Sequence, residues 1–185
     1  MLKRGFDLLL AALALGLLAL PMLAVALAVW LDSGRPVLFA QARVGRGGRL
    51  FRLYKFRSMV ADAEARGPQR TASGDPRITR VGRWLRRSSL DELPQLFNVL
   101  RGDMSLVGPR PDVPAQQADY RAEDWELRCR VRPGITGLAQ ALYRSRATPA
   151  QRLQADLDYA RRPGLARDLR IMGLTLLQLW RGSGN

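Results

Sequence analysis

The longest apolar pattern in the sequence lies near its beginning. The 24 residues from Leu8 to Leu31 carry no charge. As one straight helix they would extend about 36 Å, which exceeds the roughly 30 Å hydrocarbon core of a bilayer. The run therefore fits a single transmembrane anchor. It also fits a signal peptide, with Lys3 and Arg4 before it and a small-residue cleavage pattern at residues 24–26, although the apolar residues continue beyond that site.

Two features favour a third topology, in which the helix enters one leaflet and returns. Pro21 lies near the middle of the run, where it removes a backbone donor and bends the helix. Basic residues flank the run on both sides, namely Lys3 and Arg4 before it and Arg35, Arg43, Arg46 and Arg49 after it. Because positively charged flanks stay in the cytoplasm, a re-entrant membrane hairpin over residues 1–34, broken at the proline, satisfies both ends.

The rest of the chain predicts an α+β, mainly helical domain over residues 35–185. Alternating runs around Gly45-Arg46-Gly47-Gly48 predict a β-hairpin over residues 37–57. Helical spacing predicts helices at residues 58–66, 78–87, 89–101, 114–130, 148–160 and 165–180. The amphipathic helix at 165–180 is predicted to lie on the bilayer surface. The basic helix at 78–87 is either a solvated surface helix or an interfacial helix on acidic lipid.

Sequence signals for helix starts occur at two of these helices. Ser89, with Glu92 three positions later, matches a capping box. Thr148 is a predicted N-cap, and Pro149 follows it at the first helical position.

Charge and composition narrow the chemistry. Thirty basic residues, of which 28 are Arg, stand against sixteen acidic ones, giving a net charge of +14. This excess requires an anionic partner such as acidic lipid, nucleic acid or phosphorylated small molecules. Histidine is absent and Cys129 is the only cysteine, which excludes a Ser-His-Asp triad, a Cys-His dyad, a disulfide within the chain and a thiolate zinc cluster. Catalysis would therefore depend on carboxylates, guanidinium groups and a hard cation.

Asp91 and Glu92 are the candidate carboxylates, in the first turn of the predicted helix at 89–101. Free N–H groups and the positive end of the helix dipole favour ionised carboxylates there. Acidic residues in first turns are common, and Glu92 also completes the capping box, so a purely structural role is the alternative. Adjacent residues diverge by about 100° on a helix, so one could attack while the other orients a metal or a neighbouring group.

Four basic residues are candidates for binding phosphate. Arg110 and Arg132 each precede a proline, which restricts their backbones, and Lys55 and Arg57 end the second hairpin strand. Arginine suits bidentate contact with phosphate. Each residue alone would be an ordinary surface charge. Their combination with an ionised carboxylate and a membrane hairpin is less easily explained as ordinary surface charge.

The segment SLDELPQLFNVLRGDMSLVGPRP, residues 89–111, resembles almost letter for letter the signature of the bacterial sugar transferases, which are monotopic phosphoglycosyl transferases. Further matches are Gln41-Ala42-Arg43 and residues 54–59, 131–140 and 156–171, so the resemblance covers nearly the whole chain.

The resemblance implies an enzyme that transfers a sugar-1-phosphate from a UDP-sugar to polyprenyl (undecaprenyl) phosphate and releases UMP. This would be the first membrane step of lipid-linked glycan synthesis, at the cytoplasmic face of the bacterial inner membrane. The resemblance also implies a ping-pong mechanism through a covalent phosphosugar on Asp91. Glu92 would be its catalytic partner, and Mg²⁺ the cofactor, with Asp91 as a metal ligand.

The resemblance also assigns residues around the phosphates. Lys55, Arg110 and Arg144 match its basic positions, and Asp156 and Asp168 match as supporting residues; Arg132 is added as a phosphate-binding candidate from its place before a proline. The chain departs from the family pattern at Leu142-Tyr143, directly before Arg144, where Asn-Gly is frequent.

Two other functions compete with this interpretation. One is a non-enzymatic, basic membrane-anchored protein that binds nucleic acid or lipid; few aromatic residues lie among the arginines and no nucleic-acid fold signature is present, which disfavours nucleic acid. The other is a secreted basic domain after signal cleavage. The expected partners are therefore a UDP-sugar, polyprenyl phosphate and an anionic inner leaflet, without nucleic acid; a homo-oligomer is left open.

Overall fold

The computed structural model describes residues 2–63, 65–67 and 74–180. The fold is mainly helical (61%), as predicted. The helices are α1 Leu2–Ser33, α2 Arg80–Ser88, α3 Gln95–Arg101, α4 Ala122–Cys129, α5 Leu138–Tyr143, α6 Pro149–Arg161 and α7 Leu165–Trp180. The strands are β1 Leu38–Val44, β2 Leu50–Phe56, β3 Ser105–Val107 and β4 Gly134–Thr136, and short 3₁₀ turns cover Arg46–Gly48, Leu90–Glu92, Pro114–Asp119 and Arg144–Arg146.

The predicted β-hairpin is confirmed. β1 and β2 pair antiparallel, with Leu38 opposite Phe56 and Val44 opposite Leu50. A second, parallel pair joins β3 to β4, where the backbones approach so closely that a Cβ on Gly134 would lie 2.0 Å from the amide nitrogen of Gly108. Only glycine therefore fits at that position.

The N-terminal apolar helix is confirmed as α1, which is long and apolar enough to cross a membrane. The helix continues without interruption past Pro21. A proline inside a helix removes one hydrogen bond and bends the axis, but the helix can continue on both sides of it. The re-entrant path is therefore still a prediction.

One face of α1 packs along the rest of the protein. Ala11, in its first half, joins a core cluster with Leu53, Leu96, Val99 and Met104. Val25 and Val29, in its second half, join another with Phe56 and Leu85. The opposite face exposes large apolar side chains, namely Leu9, Leu13, Leu17, Leu20, Leu23, Leu27, Trp30 and Leu31.

Both ends of α1 are hydrogen-bonded to the same body. Near the beginning, the buried carboxylate of Asp7 accepts a hydrogen bond from Oγ of Ser105 at 2.8 Å. At the other end, Nη2 of Arg57 donates to Oγ of Ser33 at 3.0 Å and to the carbonyl of the following residue, Gly34, at 2.7 Å. The 35–180 region thus contacts α1 along its length.

The predicted helix over residues 58–66 is wrong. Residues 61–63, 65 and 66 form turns, and Met59 makes an isolated antiparallel bridge with Ile78. A buried ion pair of 2.7 Å between Arg77 and Asp75 fixes the partner segment, and Nη1 of Arg77 also binds the carbonyl of Ala63. Pairing with a distant segment replaces the local hydrogen bonds of a helix.

The predicted capping box at Ser89 is also wrong. Ser89 has a left-handed backbone (φ 59°) and ends α2, and its side chain makes no capping hydrogen bond. The side chain of Glu92, which would complete the box, instead accepts a hydrogen bond from Lys55. The predicted helix is split into the 3₁₀ turn Leu90–Glu92 and α3.

The prediction at Thr148 is confirmed. Its hydroxyl accepts a hydrogen bond from the backbone of Gln151 at 3.2 Å, and the Gln151 side chain accepts one from the backbone of Thr148 at 2.9 Å. Helix α6 begins at Pro149, and α7 coincides with the predicted 165–180. The predicted helix over 114–130 is divided into a 3₁₀ turn and α4.

We expect Gly82→Ala to destabilise the fold by about 3 kcal/mol, since an added Cβ in α2 would lie 2.0 Å from the carbonyl oxygen of Ser58. Gly173→Ala in α7 is the matched control, because nothing lies within 4 Å of its Cβ and alanine favours helix. Thermal unfolding of the purified protein measures both. Equal melting temperatures for the two variants would contradict the packing of α2 on residue 58.

Candidate active site

Glu92 lies at the centre of the candidate site. Nζ of Lys55 donates a hydrogen bond to its Oε1 at 2.7 Å, and Nη2 of Arg110 donates to the same oxygen at 2.6 Å. Lys55 comes from the end of β2, Glu92 from the 3₁₀ turn before α3, and Arg110 from the loop after β3. The structure thus brings together three of the residues that the sequence singled out.

The ionisation state of this group follows from its surroundings. Burial alone would raise the pKa of Glu92, but the charges and hydrogen bonds of Arg110 and Lys55 outweigh it and hold that pKa well below its usual range. Burial and the neighbouring Arg110 lower the pKa of Lys55, while Glu92 opposes them. Glu92 therefore remains ionised at neutral pH and acts as the counter-ion of both cations.

Asp91 is in a different situation, although it is the next residue. Its side chain is buried, with 6% exposed, and within the described part of the chain its carboxylate makes no hydrogen bond or ion pair. Burial raises its pKa, and the positive charge of Lys55 opposes this rise. Its oxygens are consequently not engaged by any described side chain, which suits a nucleophile or a metal ligand.

Packing fixes the turn that carries both carboxylates. Leu93 contacts both core clusters of α1, so the turn rests against the apolar helix. The fully buried Asn98 of α3 accepts a hydrogen bond from the backbone of Tyr54 at 3.1 Å and donates to the carbonyl of Arg52 at 2.7 Å. These bonds set the distance between α3 and β2, and therefore between Glu92 and Lys55.

A buried network of ion pairs is hydrogen-bonded to the backbone of Arg110. Arg128 of α4 forms 2.9 Å ion pairs with both Asp112 and Asp156, and it also donates a hydrogen bond to the carbonyl of Arg110. Arg152 of α6 pairs with Asp112 as well. Asp156, predicted as a supporting residue, is thus connected to the backbone of Arg110 through Arg128, which binds both.

Sequence reasoning missed Arg128, Asp112 and Arg152. A signal for Arg128 was present, because it shares one face of α4 with the buried residues Trp125 and Cys129. A charged residue at an apolar spacing indicates a buried ion pair.

The other predicted residues lie in different places. Nε of Arg132 donates to the carbonyl of Gly102 at 2.9 Å, at the end of α3 opposite to Glu92. The buried carboxylate of Asp168 accepts a hydrogen bond from the hydroxyl of Tyr159 at 2.7 Å and pairs with Lys3. Asp168 thus connects the beginning of α1 to α6 and α7. In the ranges that the structure describes, neither Arg132 nor Asp168 contacts Glu92 or its two cations.

Arg144 directly follows α5 and has an unusual backbone, with φ 53° and ψ −129°. This conformation is strongly disfavoured for a residue with a side chain, and such strain is concentrated at functional sites. The geometry singles Arg144 out, and its role as a phosphate ligand stays a prediction.

The residues are compatible with a magnesium ion. In the described ranges no group of three or more acidic, cysteine or histidine side chains could hold a metal by itself. Mg²⁺ in phosphate-binding sites is instead held by one or two carboxylates together with substrate phosphates. Asp91 offers such a carboxylate, whereas Oε1 of Glu92 is already shared by two cations.

Comparison with known proteins gives a consistent result. The profile of the bacterial sugar transferase family matches residues 1–182. An undecaprenyl-phosphate glucose phosphotransferase of Komagataeibacter xylinus is 46% identical over 94% of this chain. A UDP-glucose:undecaprenyl-phosphate glucose-1-phosphate transferase of Caulobacter vibrioides is 45% identical over 96%, and the exopolysaccharide production protein PSS of Rhizobium leguminosarum bv. phaseoli is 43% identical over 99%.

These relatives differ in length. The chain spans 35% of the Komagataeibacter protein, 69% of the Caulobacter protein and 98% of the Rhizobium protein. The matching region is therefore the part that all three share.

We expect Arg128→Met to destabilise the protein by about 3–5 kcal/mol, because it removes the shared partner of two buried carboxylates. Arg130→Ala is the control, since its ion pair with Glu126 is exposed and contributes about 1 kcal/mol or less. Chemical denaturation of both variants provides the comparison. A loss no larger for Arg128→Met than for the control would contradict the buried network.

Proposed function

The chain belongs to the bacterial sugar transferase family, and from this premise we propose that it transfers a sugar-1-phosphate from a UDP-sugar to undecaprenyl phosphate and releases UMP. The names of relatives that match 94% and 96% of the chain support this proposal. One arrangement carries it: an unshared buried carboxylate, Asp91, lies next to a carboxylate that holds Lys55 and Arg110. Family membership also disfavours the non-enzymatic alternative.

In the first step, a carboxylate oxygen of Asp91 attacks the β-phosphorus of the UDP-sugar. The bond from this phosphorus to the bridging oxygen breaks, UMP leaves with the electron pair, and the phosphosugar becomes an acyl phosphate on Asp91. Covalent catalysis of this kind divides one difficult transfer into two easier ones. Lys55 and Arg110 offset the negative charge that accumulates as the anions approach each other.

In the second step, a phosphate oxygen of undecaprenyl phosphate attacks the same phosphorus. The bond to Asp91 breaks, the carboxylate is restored, and the product is an undecaprenyl diphosphosugar. The donor site is emptied of UMP before the acceptor reacts, so the kinetics are ping-pong.

Glu92 would act by orienting the two cations, because a carboxylate held ionised by two charges is a poor proton donor or acceptor at neutral pH. Mg²⁺, when bound, would be held by Asp91 and the donor phosphates, and it would supply charge neutralisation at the diphosphate.

The site would lie at the cytoplasmic surface of the inner membrane. Both ends of α1 are hydrogen-bonded to the 35–180 region, whereas a straight span would carry them to opposite faces. The exposed leucine face of α1 would enter one leaflet. Trp84 of α2 and Leu169, Leu176 and Leu177 of α7, all at least half exposed, would contact the bilayer surface.

We expect incubation with the correct UDP-sugar and Mg²⁺ to leave a phosphosugar adduct on Asp91, detected by intact mass and peptide mapping. Asp91→Asn cannot form the adduct, so UMP release should fall by at least roughly 1,000-fold. A panel of UDP-sugars identifies the donor.

Asp62→Asn is the matched control, because Asp62 is exposed and pairs with Arg66 on the surface. Its turnover should equal that of the unmodified protein. Full turnover by Asp91→Asn, or kinetics that require both substrates to be bound together, would overturn the covalent mechanism.

The topology can be tested separately. With Cys129→Ala as background, we expect single cysteines at Leu2 and Arg35 to react with a membrane-impermeant maleimide only from the cytoplasmic side. Labelling of the two positions from opposite sides would establish a straight transmembrane span instead.

A further inference from the structure

Arg43 of β1 lies beside the candidate site without having been assigned to it. Its Nη1 donates to the carbonyl of Pro111 at 3.0 Å, and its Nη2 donates to Oε1 of Gln41 at 2.6 Å. Pro111 directly follows Arg110, so Arg43 is bonded to the backbone of the segment that carries Arg110. The electrostatic influence of both Arg110 and Glu92 on Arg43 agrees with this placement.

The hydrogen-bond partners of Arg43 are neutral oxygens. In the part of the chain that the structure describes, its Nε is buried without a hydrogen-bond partner, and its guanidinium forms no ion pair. The nearby carboxylates are already shared, Glu92 by Lys55 and Arg110, and Asp112 by Arg128 and Arg152. Arg43 is thus a half-buried cation, with its Nε fully buried and without a carboxylate of its own.

Such a cation is costly to maintain. Burial lowers the pKa of Arg43 to about 10, and the charges of Arg110 and Arg152 act in the same direction, against Asp112 and Glu92. Buried charges are normally paired. If Arg43 only had to hold the carbonyl of Pro111, a neutral donor would suffice.

We propose that Arg43 is a third cationic ligand of the donor diphosphate, alongside Lys55 and Arg110. The inference rests on the proposed function, because a diphosphate is the anion expected at this position. A dianionic ligand would provide the counter-charge that the protein does not supply, and the planar guanidinium group suits two phosphate oxygens at once.

The test measures binding of UDP and of UMP to the full chain in detergent by calorimetry, with Arg43→Ala and Arg43→Gln. We expect UDP affinity to fall by about 10- to 100-fold, the usual range for losing a charge-assisted hydrogen bond, and UMP affinity to fall less. Arg49→Ala is the matched control, because it removes the same charge from an exposed position of the hairpin turn. Arg43→Gln retains a donor for Pro111 and serves if the alanine variant does not fold.

Unchanged UDP affinity in a folded Arg43 variant would overturn the proposal and leave Arg43 as a structural clamp. An equal loss in Arg49→Ala would also overturn it, since any positive charge would then suffice. Failure of the proposed function looks different: the unmodified protein would release no UMP from any UDP-sugar, whatever the Arg43 variants bind. In turnover, the Michaelis constant for the donor should rise, and that for undecaprenyl phosphate should stay constant.

Discussion

The sharing of one carboxylate between two cations determines the geometry of the site. Lys55, Glu92 and Arg110 lie 37 and 18 residues apart, on a strand, a 3₁₀ turn and a loop. Burying these charges is favourable only if their geometry is accurate, because desolvation offsets most of the Coulomb attraction. The surrounding structure therefore has to fix all three backbones. Asn98 joins α3 to the backbone of β2, and Arg128 donates a hydrogen bond to the carbonyl of Arg110.

The same turn connects this site to the apolar helix. Leu93 follows Glu92 and packs against both halves of α1 through the two core clusters. The exposed side of α1 is almost entirely apolar, so an apolar environment such as a bilayer interior would determine how deeply α1 is immersed. Because Leu93 directly follows the turn that carries the two carboxylates, the depth of α1 in a bilayer would fix the height of Asp91 above that bilayer. A charged head group of a lipid substrate would be met at one fixed level.

Local signals in the sequence predicted the elements that depend on local interactions. The hairpin follows from alternation around a glycine-rich turn, and the start of α6 follows from Thr148 and Pro149. Prediction failed where distant segments compete. Met59 pairs with Ile78 and the carbonyl of Ala63 binds Arg77, rather than either joining a helix. Glu92 binds Lys55 and Arg110 rather than capping its own turn. The buried pairs of Arg128 join α4, α6 and a loop, so spacing along the chain could indicate one buried charge but not its partners.

The contrast between Asp91 and Glu92 has a chemical consequence. If Lys55 and Arg110 bound Asp91 directly, its lone pairs would be engaged and its carboxylate would be a weaker nucleophile. Glu92 takes up both cations instead, which leaves Asp91 unshared while the positive charge stays close enough to oppose the rise of its pKa by burial. The contact of Arg110 to the second oxygen of Glu92 is long, at 3.4 Å, and Arg110 is partly exposed. A phosphate oxygen can therefore compete for that donor without displacing the 2.6 Å bond that holds the guanidinium group in place.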